Sequence, residues 1–514
     1  MSSDSSSKAN LLNSSSNSSS IDSTRSANTD NVYAIKGERE EELEELNRDL
    51  YSFISRVTPS VEDTMSHRVV LDLVRDVARR VLDPSADIEM FGSAASGLCE
   101  RGSDIDATVM VDFGILNKRF HGVNRAPSVG HEARTLCSEA VCAIAKYIEC
   151  TNGTGLAVEG LINGAKVPIV VLSSFGRQII DVSINNVLPT YNTRLLGAYA
   201  KLDKRVVALV LCVKRWAKMV QVSDAKMGNL SSYSWSILCL YYLQQAGVIP
   251  SLQASSASAA LEGKSRQMYH CPSTGKKFDI GFSLSPAEVD DESSQSSLSA
   301  AELLCGFFSF YDSEFRWGAE VVSIRLGARK NISDPEFTTL SRGSRSMTEL
   351  PPGIEKIHIE DPFDLSRNLH CVMDTGGLVR LRNAFRDIAT RLAGVPPVSV
   401  LSNLAKTLMS YRNVVPAFAT AELHKRYNGV GMRGAAANNK PISSMMGPLD
   451  ESIVRNYARQ QEILQRQLIN LQQGKSFASR KSSSAGPGRG SYQQILVNDD
   501  VAASNQEWTT VDLW

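Results

Sequence analysis

The stretch FGSAASGLCERGSDIDATVMV, residues 91–111, decides the reading of this chain. It opens on a Gly-Ser turn, passes a second turn of small residues, and ends in two aspartates separated by one residue. Side chains alternate across a strand, so Asp104 and Asp106 project to one face while Ile105 enters the core. Two carboxylates converging on one spot repel unless cations lie between them, and hard oxygen ligands of this kind suit Mg²⁺ or Mn²⁺. An Asp-x-Asp pair alone is a weak signal, and its surroundings give it weight. Gly92 and Ser93 stand upstream, where backbone N–H groups and the Ser93 hydroxyl can hold phosphates. A third acid, Asp181, sits in the apolar segment IIDVSINN, where a bare carboxylate is costly unless it reaches a solvated or metal-bearing edge. Three carboxylates beside a phosphate-holding turn describe a phosphoryl-transfer site with two divalent ions, Asp104, Asp106 and Asp181 being both catalytic and metal-ligating.

Working outward, DIEMFGS, DIDATVMVDF, KVPIVVLSS and QIIDVSINN are short, β-branched and separated by turn-prone or helical sequence. That pattern predicts a small mixed sheet flanked by helices. Upstream, EREEELEELNRDLYSFISRV places Leu43, Leu46, Leu50 and Phe53 at helical spacing, and the segment from Val61 to Leu82 repeats it. After Thr193 the pattern is long and helical through KLDKRVVALVLCVKRWAKMV and SSYSWSILCLYYLQQAG. The expected organisation is an α/β catalytic domain over residues 35–193, including two N-terminal helices, and a mainly helical domain over 194–425 with Ser-rich loops at 252–300. Residues 1–34 and 474–514 read as low-complexity disordered tails. Residues 426–448 read as a linker and 449–473 as an amphipathic helix. There Tyr457, Leu464, Leu468 and Leu471 form a stripe fit to dock on the chain's own domain or on a protein partner.

Lys+Arg and Asp+Glu both total 55 in 514 residues, so no global positive field marks nucleic-acid binding and any polyanion site is a local patch. The nine cysteines show no CxxC pair and no zinc-type spacing. Neither a disulfide framework nor a structural zinc is supported, and a reducing compartment fits best. No apolar run approaches the roughly 18 residues of a membrane span. The Ser/Asn-rich amino terminus is unlike a signal peptide or an acid-poor transit peptide. The expectation is a cytoplasmic protein that does not contact membrane, with mitochondrial import left open.

In the segments FGSAASGL, SDID, KVPIVVL, DVSINN, YNTRLLGAYAKLDKRV, LCVKRWAK, LSSYSWSILCLYYLQ, GFFSFY and IEDPFDLSRN, in this order, the chain resembles the terminal uridylyltransferase and cytoplasmic poly(A) polymerase branch of the DNA polymerase β-like nucleotidyltransferases. The resemblance spans roughly residues 60–385. It implies that Ser93 contacts the terminal phosphates and that Asn192 and Thr193 hold the ribose. Lys214 and Lys218, four apart on one helical face, fall where the family contacts the triphosphate. Ser232 falls at a phosphate contact and Tyr233 at the aromatic platform under the base. Asp361 and Asp364 match acids facing the base edge, directly or through water, and Arg367 stands where uridine-specific members often carry histidine.

The function expected on these grounds is template-independent addition of nucleotides to an RNA 3′ end, with UMP from UTP preferred. Poly(A) polymerase activity with ATP is the first alternative, because Arg367 departs from the uridine-specific pattern. A catalytically silent RNA-binding scaffold is the second, and the retention of Ser93, Asp104, Asp106 and Asp181 argues against it. The helical part is expected to be a poly(A) polymerase-associated domain, with nucleotide and RNA in the cleft between it and the α/β domain.

Overall fold

The computed structural model describes residues 22–128, 130–174, 178–254, 267–283, 296–340, 350 and 352–393, with backbone alone for 22–39. All of these lie in the first of two compact units, Met1–Ile442. The expected linker 426–448, helix 449–473 and tail 474–514 lie outside the described residues, as do residues 1–21 and 394–425. Helix α1 runs over Asp22–Val57. The helix expected from Glu38 thus extends back through residues 22–34, where a disordered tail is expected from composition. Adding turns to a helix already nucleated costs little per residue, even for Ser, Thr and Asn.

Five strands form the catalytic sheet: β1 (Asp87–Phe91), β2 (Ile105–Met110), β3 (Leu156–Ile162), β4 (Ile169–Ser174) and β5 (Gln178–Ile184). Their order is β1-β2-β5-β4-β3, with β2 and β5 parallel and the other neighbours antiparallel. Four are legible as β-branched runs. The fifth, β3, is not, because Glu159 and Gly160 interrupt its apolar pattern at a register shift between Val158 and Gly160. One face of the sheet buries Ile105, Ala107, Val109, Ile180 and Val182 in a core shared with α2 (Val61–Val81), α4 (Phe113–His121) and α5 (His131–Cys150). Helix α2 starts sharply because Ser60 and Asp63 form a reciprocal capping box.

A second core is built by α6 (Leu188–Leu202), α7 (Lys204–Met219), α8 (Ser232–Gln245), α9 (Ala300–Ser309) and α10 (Thr375–Ala393). Asp203 separates α6 from α7 by capping the Arg205 amide at 2.7 Å. Leu46, Leu50 and Phe53 of α1 pack in this helical core and not against the sheet. The amphipathic stripe is where the spacing puts it, but its partner is the other domain, because periodicity gives a face and no address. Part of 252–300 is also ordered: β6 (Met268–His270) and β7 (Lys277–Asp279) pair as a hairpin that buries Phe278 and Ile280 in the helical core. Among the described residues no helix is long and apolar enough to cross a membrane.

Candidate active site

Parallel pairing of β2 with β5 sets Asp106 directly beside Asp181, and the antiparallel pair β1/β2 sets Phe91 beside Asp106. Ile105, fully buried, fixes which way the alternation runs. Asp104 precedes β2 by one residue and shares the face of Asp106. The three carboxylates are near enough to perturb one another. Burial and then repulsion from Asp181 and Asp104 push the Asp106 carboxyl up to about 7, against the pull of Lys214. Burial and Asp104 raise Asp181 to about 6, opposed by Lys226. Asp104 has an exposed side chain, yet the surrounding protein excludes enough water to raise its pKa, with Lys218 and Lys226 opposing. Among the described residues no three acids, histidines or cysteines are gathered closely enough to form a ready metal cage. The set fits divalent cations in donor chemistry and in the charge it lacks, and those cations would draw the acids together.

The turn expected to hold phosphates is a short helix, α3 (Gly92–Ser96), directly after β1. Gly92 has φ +79°, and a Cβ there would land inside the Asp106 carboxylate, 3.1 Å from its Cγ. Only glycine lets the turn approach the acid this closely. Its amide donates to Thr193 Oγ1 at 2.8 Å, and the Thr193 hydroxyl donates to the Pro189 carbonyl at 2.8 Å. Thr193, expected at the ribose, thus braces the Gly92 turn. Its neighbour Asn192 is buried with an Oδ1 that lacks a hydrogen-bond partner, an acceptor suited to a ribose hydroxyl. Gly92→Ala is expected to lower single-turnover nucleotide addition about a hundredfold or more, because the methyl displaces Asp106 as well as straining φ. An unchanged rate would remove the turn from the site.

The two lysines differ. Lys214 is buried, and its ammonium donates to the Leu98 carbonyl at 2.7 Å. Burial and the charge of Lys218 lower its pKa to about 8. It holds the loop between α3 and β2 and sends its field to Asp106, whereas Lys218 is exposed and faces Asp104. Lys226, which no pattern singles out, joins Lys218 in countering the acids; it lies on a single 3₁₀ turn, Ala225–Met227.

Ser232 begins α8 and is exposed, while the Tyr233 hydroxyl is buried without a hydrogen-bond partner. Beside it stands the turn 361–367. Asp361 is fully buried, and its Oδ1 accepts from the amides of Phe363 and Asp364, both at 3.1 Å. Its Oδ2 has no hydrogen-bond partner and lies 3.8 Å from Arg367 Nη1. Burial raises the Asp361 pKa, and the Arg367 guanidinium pulls it back. Burial raises the Tyr233 phenol too, with Asp361 adding to it and Arg367 opposing. Tyr233, Asp361 and Arg367 thus form one cluster. Asp364 does not turn the same way: its Oδ1 accepts from Ser366 Oγ at 2.6 Å and from Lys276 Nζ at 3.3 Å.

The sheet with its acids matches a family profile described as the central palm domain of mitochondrial-like poly(A) RNA polymerase, over residues 46–201. Residues 299–367, which include the Asp361 turn, match one described as Cid1 family poly A polymerase. The terminal uridylyltransferase cid1 of Schizosaccharomyces pombe is 30% identical over 363 residues, covering 66% of this chain and 77% of that protein. The chain is a Cid1-family RNA nucleotidyltransferase. Human poly(A) RNA polymerase GLD2 is 28% identical to this Cid1-family chain, over 61% of it and 56% of GLD2. A crystal structure of the Cid1 poly(U) polymerase with MgGTP superposes with a TM-score of 0.54 and 26% identity, covering 71% of this chain and 98% of that one. Enzymes of this family are metal-dependent. The Cid1-type fold pairs the mixed sheet with the associated helical domain, in line with the expectation from sequence.

Proposed function

We propose that this enzyme adds UMP from UTP to RNA 3′ ends, with Asp104, Asp106 and Asp181 holding two Mg²⁺ or Mn²⁺ ions. Bound there, the ions would supply charge for the triphosphate and activation of the 3′-hydroxyl. The chain's own groups do the rest. Gly92 and Ser93 receive the terminal phosphates, Lys218 compensates their charge from its exposed position, and Asn192 Oδ1 accepts from the ribose. Tyr233 lies under the base. Cytoplasmic location is part of the same reading, and the free state of all nine cysteines supports a reducing compartment.

The observation that carries the base choice is the Arg367 guanidinium standing 3.8 Å from the unpartnered Oδ2 of buried Asp361. Uracil presents a carbonyl acceptor beside the N3 donor, so Arg367 donates to the carbonyl while Asp361 accepts the N3 proton. Adenine offers an amino donor and the N1 acceptor, but it brings a second ring into a space narrowed by the long arginine. The S. pombe uridylyltransferase supports the same choice. The likeness to GLD2, together with arginine in place of histidine at 367, favours ATP as the second reading.

Full-length protein incubated with short single-stranded RNA, Mg²⁺ or Mn²⁺ and each NTP separately decides between them. UTP is expected to be used most efficiently. Arg367→Ala should lower the UTP:ATP ratio of kcat/KM about tenfold, the scale of one hydrogen bond to a charged group at a partly exposed site. More efficient addition of A by the wild type would install the poly(A) reading.

A further inference from the structure

The hairpin β6/β7 joins two parts of the nucleotide site that its sequence does not advertise. Tyr269 on β6 packs on Tyr191, the neighbour of Asn192, with ring centroids 5.4 Å apart. At the other end the hairpin turn closes on itself, with the Gly275 amide donating to the Cys271 carbonyl at 2.8 Å and the Cys271 amide to the Lys276 carbonyl at 2.9 Å. That closure points Lys276 at the base turn. Its ammonium donates to Ser366 Oγ at 2.8 Å and to both oxygens of Asp364, at 3.3 and 3.4 Å. Phe282, just past β7, packs on Phe363 of the same turn, with centroids 6.4 Å apart.

We propose that Lys276 is a specificity-positioning residue: by neutralising Asp364 it keeps that carboxylate from capturing Arg367 and so leaves the guanidinium to the base. The proposal rests on Arg367 and Asp361 being the base readers. Asp364 carries the charge nearest to Arg367 along the chain, and the Arg367 amide already donates to the Asp364 carbonyl at 2.7 Å. Arg367 has an exposed side chain whose distance to Asp361 is longer than a full ion pair makes, so it is free to swing. With Lys276 gone, Asp364 has Ser366 as a neutral donor and needs a cation. Arg367 is the one within the same turn. Asp364 is therefore an anchor of the base turn and not a reader of the base, a different duty from the one the family resemblance implies.

The test compares kcat/KM for UTP and ATP in single-nucleotide extension of a short RNA by the full chain. Lys276→Ala should lower the UTP:ATP ratio about fivefold, chiefly through the KM for UTP, and Lys276→Arg should keep it. Adding Asp364→Asn to Lys276→Ala should restore most of the ratio, because a neutral amide does not recruit Arg367. In an Arg367→Ala background Lys276→Ala should change the ratio no further. Equal losses for both nucleotides, or a shifted ratio that persists without Arg367, would overturn the proposal. Should Arg367→Ala itself leave the ratio unmoved, the base-reading assignment falls; should it move the ratio while Lys276→Ala does not, the Lys276 inference falls alone.

Discussion

Replacing Asp104 and Asp106 together by Ala is expected to cut nucleotide addition by about a thousandfold or more while leaving the metal-free protein at least as stable as the wild type. The loss is large because, on the proposed reading, the charge that stabilises the displaced pyrophosphate would enter through ions held by these acids, and preorganised charge of this kind contributes more than any other single effect to such transfers. The gain in stability follows from the acids themselves. Folding raises the Asp106 carboxyl to about 7, so its ionised form is disfavoured in the native state. A group raised in this sense costs nothing at pH below its unfolded value, becomes destabilising as pH rises from about 4 to about 7, and reaches its full cost above that. Asp181, raised to about 6, acts the same way over a slightly lower window. Metal-free wild type should therefore lose melting temperature between pH 5 and pH 8 more steeply than the double variant. Added Mg²⁺ or Mn²⁺ should raise the melting temperature of the wild type at pH 8 and leave the variant's nearly unchanged. A well-folded double variant that extends RNA at a comparable rate would end the metal assignment.

Much of this site is legible in sequence because its chemistry is compressed into local segments. Asp104, Ile105 and Asp106 specify a shared strand face by alternation alone, and Gly92 announces a close approach that the Asp106 carboxylate then makes real. What stays hidden depends on partners far along the chain. Thr193 is identified as a brace only when its hydroxyl is seen against the Gly92 amide, 101 residues away. Lys214 and Lys218 share a helical spacing, yet one reaches a backbone carbonyl in a dry interior and the other stays exposed. Asp364 looks equivalent to Asp361 in IEDPFDLSRN until Lys276 claims it. The hairpin carrying Lys276 reads as part of a Ser-rich loop, because three-residue strands between polar stretches leave no periodic signal. Helix α1 joins the helical core and not the expected α/β core for a related reason: Leu46, Leu50 and Phe53 define a face, but which surface receives it is a tertiary fact.

The buried ion pair of Glu100 and Arg215 leads to the largest expected change in stability, about 3–5 kcal/mol lost on Glu100→Ala or Arg215→Ala. The two side chains are each 4% exposed, and the guanidinium meets the carboxylate with Nε to Oε1 at 3.0 Å and Nη2 to Oε2 at 2.5 Å. Arg215 also lies over the Phe53 ring, 5.2 Å from its centroid, so the pair joins α7, α1 and the loop before β2. Removing one partner leaves the other charged in a dry site, which is where the cost arises. Removing both in favour of apolar residues of similar size, Glu100→Leu with Arg215→Met, should recover most of it, since the pair's Coulomb gain largely offsets its own desolvation. The loop has other ties, because Lys214 holds the Leu98 carbonyl and the Arg101 amide donates to the Val57 carbonyl at 2.6 Å. For that reason the single variants should unfold at lower denaturant without a changed slope, the mark of lost stability in an otherwise similar native state. Chemical denaturation of the two singles and the double closes the cycle. Singles whose losses simply add in the double would show that the two charges do not depend on each other, and would remove the pair as the tie between the helical core and the loop that delivers Asp104.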